Sequence, residues 1–185
     1  MTMAFVGIAL LGVSTWWGLE YVLHRFVGHM PRGRTLFSRE HRRHHAEGDY
    51  FAPTWRKALG VTPPLLAAFG LLSLGIGWAL SATYCLGLLA MYVSYEVFHR
   101  RLHTHPPRNR YGRWARRHHF HHHFMNPKAN HGVTTHFGDI VMGTLDAAVQ
   151  IAVPERLAMS WLVDEEAGDV AQPYREQYRL VRLKR

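Results

Sequence analysis

Five of the chain's 15 histidines fall within six positions, in Arg116-Arg117-His118-His119-Phe120-His121-His122-His123-Phe124. A core cannot easily absorb five imidazoles, and histidine is the commonest side-chain ligand of transition metals. Three further clusters accompany this one: His24/His29, His41/His44/His45 and His99/His103. On a helix, positions i, i+3 and i+4 share a face, so His41, His44 and His45 point together, as do His99 and His103. Within the last cluster, that spacing allows two triads, His118/His121/His122 or His119/His122/His123. About ten histidines exceed the donors one ion can use, so two ions are expected. An all-imidazole site suits iron, zinc or copper, and spacing does not choose among them. The single cysteine, Cys85, excludes a disulfide framework, a thiolate zinc site and an iron–sulfur ligand set.

The elements that must position these histidines are read from charge. All 22 Lys and Arg lie in residues 25–57 or 100–185, and none in 1–24 or 58–99. Two apolar blocks therefore alternate with two basic, histidine-rich blocks. The first, about 3–23, is long enough to cross a bilayer. It lacks the basic start and cleavage site of a signal peptide, so an anchor is expected. The second is too long for one span. It reads as two, about 64–80 and 83–103, with Pro63-Pro64 opening the first and the turn at Ser81-Ala82-Thr83. A hairpin there puts every basic block on one side, which the positive-inside rule makes cytoplasmic.

The expected architecture is an all-α integral membrane bundle of about three spans forming a single domain over residues 1–185. A cytoplasmic, histidine-rich metal-binding cap (24–61 and 104–153) and a tail (154–185) complete it. Residues 131–153 are expected to end in an interfacial or packed helix, and the tail to lie on the membrane surface or be disordered. Glu20 and Glu96, at Glu20-x3-His24 and Glu96-x2-His99, are placed either to accept the second N–H of a metal-bound imidazole or to reach the interface and pair with Arg25 and Arg100. Trp16, Trp17, Tyr21, Tyr92 and Tyr95 would form an interfacial aromatic belt or line a substrate slot. Nucleic-acid binding is not expected, because topology accounts for the basic blocks. A metal carrier would need polar ligands deep in the spans, and beyond Glu20 and Glu96 there are few.

His-Arg-Phe-Val-Gly-His, His-Arg-Arg-His-His, His-Arg-Arg-Leu-His and His-His-Phe-His-His-His-Phe, in this order around an apolar hairpin, resemble the fatty acid hydroxylase/sterol desaturase superfamily. Asn130-His-Gly-Val-Thr-Thr-His-Phe-Gly-Asp139, followed by Gly143-Thr144, resembles that family's sequence after its last box. The resemblance covers roughly residues 15–146. It implies an integral membrane, O2-dependent di-iron enzyme that hydroxylates or desaturates an apolar lipid chain such as a fatty acyl group or a sterol. Zinc can substitute for iron in such a site once purified. The implied ligands are His24, His29, His41, His44, His45, His99, His103 and, because the family's last box reads His-His-x-x-His-His-Phe, His119, His122 and His123. His118, His121 and Asp139 then become supporting neighbours. The resemblance also implies a separate electron donor, cytochrome b5-like or ferredoxin-like, because the chain has no room for a fused one. The expected location is a bacterial inner membrane. Carotenoid hydroxylation and non-enzymatic metal binding or transport are the alternatives. His131 and His136 depart from the family pattern and are read as polar replacements in preference to accessory ligands or proton relays.

Overall fold

A computed structural model describes residues 2–147 and 149–182. The chain is mostly helical. Helix α1 (Thr2–Val22) runs directly into a π-helical stretch, Leu23–His29. Then come α2 (Leu36–Glu47), α3 (Thr54–Ile76), α4 (Trp78–Thr104), α5 (Arg110–Phe124) and the short α6 (Phe137–Val141). Three helices, Thr2–His29, Thr54–Ile76 and Trp78–Thr104, are long and apolar enough to cross a membrane.

The boundaries in the second apolar block differ from those expected. Helix α3 begins at Thr54, and Pro63 and Pro64 lie inside it rather than opening it. The break comes at Gly77, whose φ of +79° suits glycine. It does not come at Ser81-Ala82-Thr83, where the hydroxyls of Ser81 and Thr83 return to the carbonyls of Gly77 and Ala79 at 2.8 and 2.9 Å. Hydroxyl residues satisfied in this way are compatible with a helix.

Helices α1 and α4 form the closest helix pair. A Cβ on Gly12 would overlap the Tyr84 carbonyl, and one on Gly87 the Ala9 carbonyl, so the two glycines allow backbone-to-backbone approach. Most large apolar side chains of α3 face outward, as lipid-facing residues would.

Beyond α6 the structure departs from the expected helix and surface tail. Strand β1 (Ile151–Pro154) pairs in parallel with β4 (Tyr178–Val181), and β2 (Val163–Asp164) pairs antiparallel with β3 (Asp169–Val170). Ile151 and Val153 alternate with less buried neighbours and enter a core with Phe120, Met159, Leu162, Val170 and Tyr178. That period of two is a strand signal within a run too short to show it clearly. Leu183, Lys184 and Arg185, the end of the expected membrane-surface tail, lie outside the described residues.

Candidate metal centre

Each histidine reaches the centre for a local reason. His24 and His29 are five residues apart, which on an α-helix would turn them about 140° from each other. They lie instead in the π-helical stretch, where bonding from i to i+5 stacks such a pair on one face. Thr35 caps α2 by accepting from the Ser38 amide at 3.2 Å. The Ser38 hydroxyl then donates to the Gly28 carbonyl at 2.6 Å, tying α2 to the π-helical turn. Asn109 caps α5, its Oδ1 accepting the Gly112 amide at 2.7 Å.

The ten histidines converge as two groups of five. His24, His29, His41, His45 and His122 form the first, and His44, His99, His103, His119 and His123 the second, with the donor atoms of each group within 4.8 Å of one another. Helix α2 divides its histidines between them, and so does α5. The groups touch where the rings of His45 and His123 stack at 4.0 Å. His118 and His121 stay outside both groups. His118 donates from Nε2 to Asp139 at 3.2 Å, and His121 accepts from Asn130 at 3.1 Å.

The spacing of ring nitrogens tests whether this donor set fits metal ions. In the first group Nε2 of His29 lies 2.9 Å from Nε2 of both His41 and His122, and His41 and His45 are 3.1 Å apart. In the second, His44–His99 and His99–His119 are 3.1 Å and His103–His119 2.8 Å. Two nitrogens bound at right angles to one ion at 2.0–2.1 Å would lie about 3 Å apart. The tautomers agree. Nδ1–H of His24, His44 and His122 donates to the carbonyls of His131, Tyr50 and Ala129 at 2.5, 2.7 and 2.6 Å. Each of those Nε2 atoms is therefore left as a lone pair, and the His24 one is buried without a partner. Burial pushes His41, His45, His119, His122 and His123 well below the ordinary histidine value, and His44 to about 4. Neutral imidazoles are the form that binds metal. The residues fit two transition-metal ions.

The two glutamates do something other than expected. Backbone carbonyls, not carboxylates, take the second N–H of these imidazoles. Glu20 accepts from the amides of Val133, Thr134 and Thr135 at 3.1–3.3 Å and from the Thr134 hydroxyl at 2.6 Å. It anchors the 133–135 loop to the first span. Glu96 pairs with Lys57. Asp139 holds the same loop from its other end. It accepts from the amides of His131 and Gly132 and from the Thr144 hydroxyl, each at 2.8 Å, besides His118. Burial alone would raise this carboxyl, but the four donors outweigh it and hold it below the usual range.

Some residues near the centre were not singled out by sequence. His131, read as a polar replacement, is 2% exposed, and its ring lies 5.0–5.5 Å from those of His24, His29 and His122. It is not among the ten donors. Nothing in its spacing marks it, because a loop rather than a helix presents it. His136 is remote from both groups and packs edge-on against Trp114 at 5.1 Å. Phe51 covers the second group, 5.0 Å from His44 and 5.7 Å from His99 and His103. Of the five aromatics, Trp16 is buried against Tyr92 and Tyr95, both at 5.1 Å, and Tyr95 stacks on His99. Tyr21 is buried and bonds Thr144, whereas Trp17 is exposed.

A sequence model described as fatty acid hydroxylase matches residues 9–144. The chain belongs to this family of histidine-box proteins. Two dihydroceramide fatty acyl 2-hydroxylases of Arabidopsis thaliana are 31% and 32% identical to it, over 75% and 76% of this chain and 60% and 61% of their own length. The fatty acid 2-hydroxylase of Homo sapiens is 28% identical, over 76% of this chain and 40% of its own length. The chain thus spans about three fifths of the plant relatives and less of the human one. No solved structure matches it.

Proposed function

We propose that the chain is an integral membrane hydroxylase of fatty acyl lipids. His24, His29, His41, His45 and His122 hold one metal ion, and His44, His99, His103, His119 and His123 the other. The observation that carries this reading is the pair of adjoining five-imidazole groups with metal-compatible spacing. Similarity to fatty acyl 2-hydroxylases supports the substrate class and favours hydroxylation over desaturation.

Two iron ions bound there would supply the O2-dependent oxidation of an unactivated C–H bond. The protein's own part is orientation and exclusion of water. The carbonyls of Tyr50, Ala129 and His131 fix ring orientation, so that the donors are arranged before metal arrives. Trp16, Tyr92 and Tyr95 pack together between the spans and His99, and Phe51 closes the neighbouring side. An acyl chain entering there meets a dry wall at the second group. The positive-inside bias turns the centre toward the cytoplasm. A separate one-electron donor completes the reaction.

The test is metal content followed by turnover. Detergent-purified protein is expected to hold two ions per chain, with loss of one or both in His41→Ala and His122→Ala. Iron-loaded protein given O2, a reductant and acyl lipids is expected to yield an acyl product carrying one added oxygen. Fewer than two ions per chain, unchanged by either substitution, would sink the dinuclear reading.

A further inference from the structure

Six of the ten donor histidines are buried, but His29, His45 and His123 come to the surface at one place. Together with Arg42, Ala46 and Pro127 they line an open cavity of about 320 Å³. Its walls come from the π-helical turn, α2 and the segment ending α5, and none comes from α3 or α4. Elsewhere the second group is covered by Phe51 and Tyr95.

The surroundings of this mouth are cationic. Arg42 lines it, and Arg39 and Arg42 both pack near Gly33, in the turn that also carries Arg32 and Arg34. Lys128 adjoins Pro127. All five cations are exposed, and none has an ion pair among the described residues. The carboxylates on these elements are engaged: Glu47 by Arg43, Glu40 by Arg56, and Asp146 by Asn126.

We propose that this mouth is the docking site of an acidic one-electron carrier protein, which would be oxidised there while the ions held by the histidine groups would be reduced through the imidazoles of His29, His45 and His123. The proposal rests on the oxygenase reading above. Hydroxylation converts C–H, O2, two electrons and two protons into C–OH and water. A one-electron carrier must therefore dock twice per turnover and is oxidised by one electron each time. Electron transfer weakens steeply with distance, and this opening brings His29, His45 and His123 toward the surface together. Unpaired arginines around that opening attract an acidic partner and speed its encounter in a salt-dependent way. An anionic lipid surface would feel the same charge, and binding to anionic vesicles is the outcome that separates it from a protein partner.

The full chain in detergent provides the test, with an acidic [2Fe–2S] ferredoxin and the haem domain of a cytochrome b5 as probes. A carbodiimide, which joins carboxylates to amines, is expected to couple at least one probe to Lys128, as located by peptide mass spectrometry. At low salt Arg42→Glu should weaken binding of that probe about tenfold and flatten its salt dependence, with zinc content reporting that the histidine groups remain intact. Coupling at Lys57 instead of Lys128 would overturn the proposal. So would an affinity indifferent to Arg42→Glu, or a variant that loosens only from anionic phosphatidylglycerol vesicles. Failure of the two readings is distinguishable. Iron-loaded wild-type chain that turns over with ascorbate but binds neither probe sinks the docking site alone. A chain that binds a probe as described yet never oxidises lipid sinks the oxygenase reading and leaves the docking surface standing.

Discussion

Among single residues, Asp139 has the most to lose. Its two oxygens take four donors from three parts of the chain, three of them on buried residues. The network extends outward, because Thr144 donates to Asp139, accepts from Tyr21, and Tyr21 in turn accepts from Arg25 at 2.6 Å. Asp139→Asn would turn an amide NH2 against two of those donors. Each buried donor left unmatched costs about 1–3 kcal/mol. The expected outcome is a lower melting temperature in detergent and reduced metal retention, since the Asp139-bound loop carries the carbonyl that orients His24. An unchanged melting temperature would count against this account. The histidine clusters were legible because three of the four obey helical spacing, but spacing alone left two triads open in the last, and only the family resemblance singled out His119, His122 and His123, the three that the structure places in the two groups. Glu20 was legible as unusual but not in its role. Its neighbour in sequence, His24, suggested one partner, while the chain brings it three amides from more than 110 positions away.

Among elements, α5 has two opposed faces. His119, His122 and His123 face the metal groups, while Phe120 is fully buried in the core made with β1, β3 and β4. Trp161 reinforces that attachment, its indole N–H donating to the His103 carbonyl at 3.0 Å and its ring covered by Arg116. The strands thus buttress α5 from behind, although they lie outside the 9–144 stretch that matches the family. Phe120→Ala removes the largest fully buried side chain of this core, at a cost of about 3–5 kcal/mol. Limited proteolysis should then cut within 151–181 faster than in the wild type, and equal cutting rates would show that the strands hold α5 by other means. Sequence reading missed these strands because each is two to four residues long and β1 pairs with a strand 27 positions on. The spans were easier, since a block without charges marks a long helix whatever its packing. Their ends were not. Hydropathy is uniform across Gly77 to Thr83, and only the local hydroxyl bonds and the φ of Gly77 place the turn.

At the scale of the whole molecule, the fold gathers ten imidazoles, six of them buried and the rest partly so. The protonation of those outside the spans sets how the metal-free protein responds to acid. His44 falls from 6.5 to about 4, with burial as the main cause, opposed by its bond to the Tyr50 carbonyl. His41, His45, His119, His122 and His123 are lowered in the same direction, also chiefly by burial. Above about pH 6.5 an imidazole is neutral in both the folded and the unfolded chain, so burying it carries no protonation penalty. As pH falls below that value, the unfolded chain takes up protons that the folded site refuses until about pH 4. The unfolded state therefore gains relative stability across that window. Metal-free protein should lose melting temperature steadily from about pH 6.5 downward, whereas a chain whose histidines were solvated would show little slope there. His44→Gln, which removes a titrating group while keeping a polar side chain, should make the slope shallower. A metal-free protein whose melting temperature is flat from pH 7 to pH 5 would mean that water enters the histidine groups once metal is gone, and that the dry cavity depends on the ions rather than on the fold.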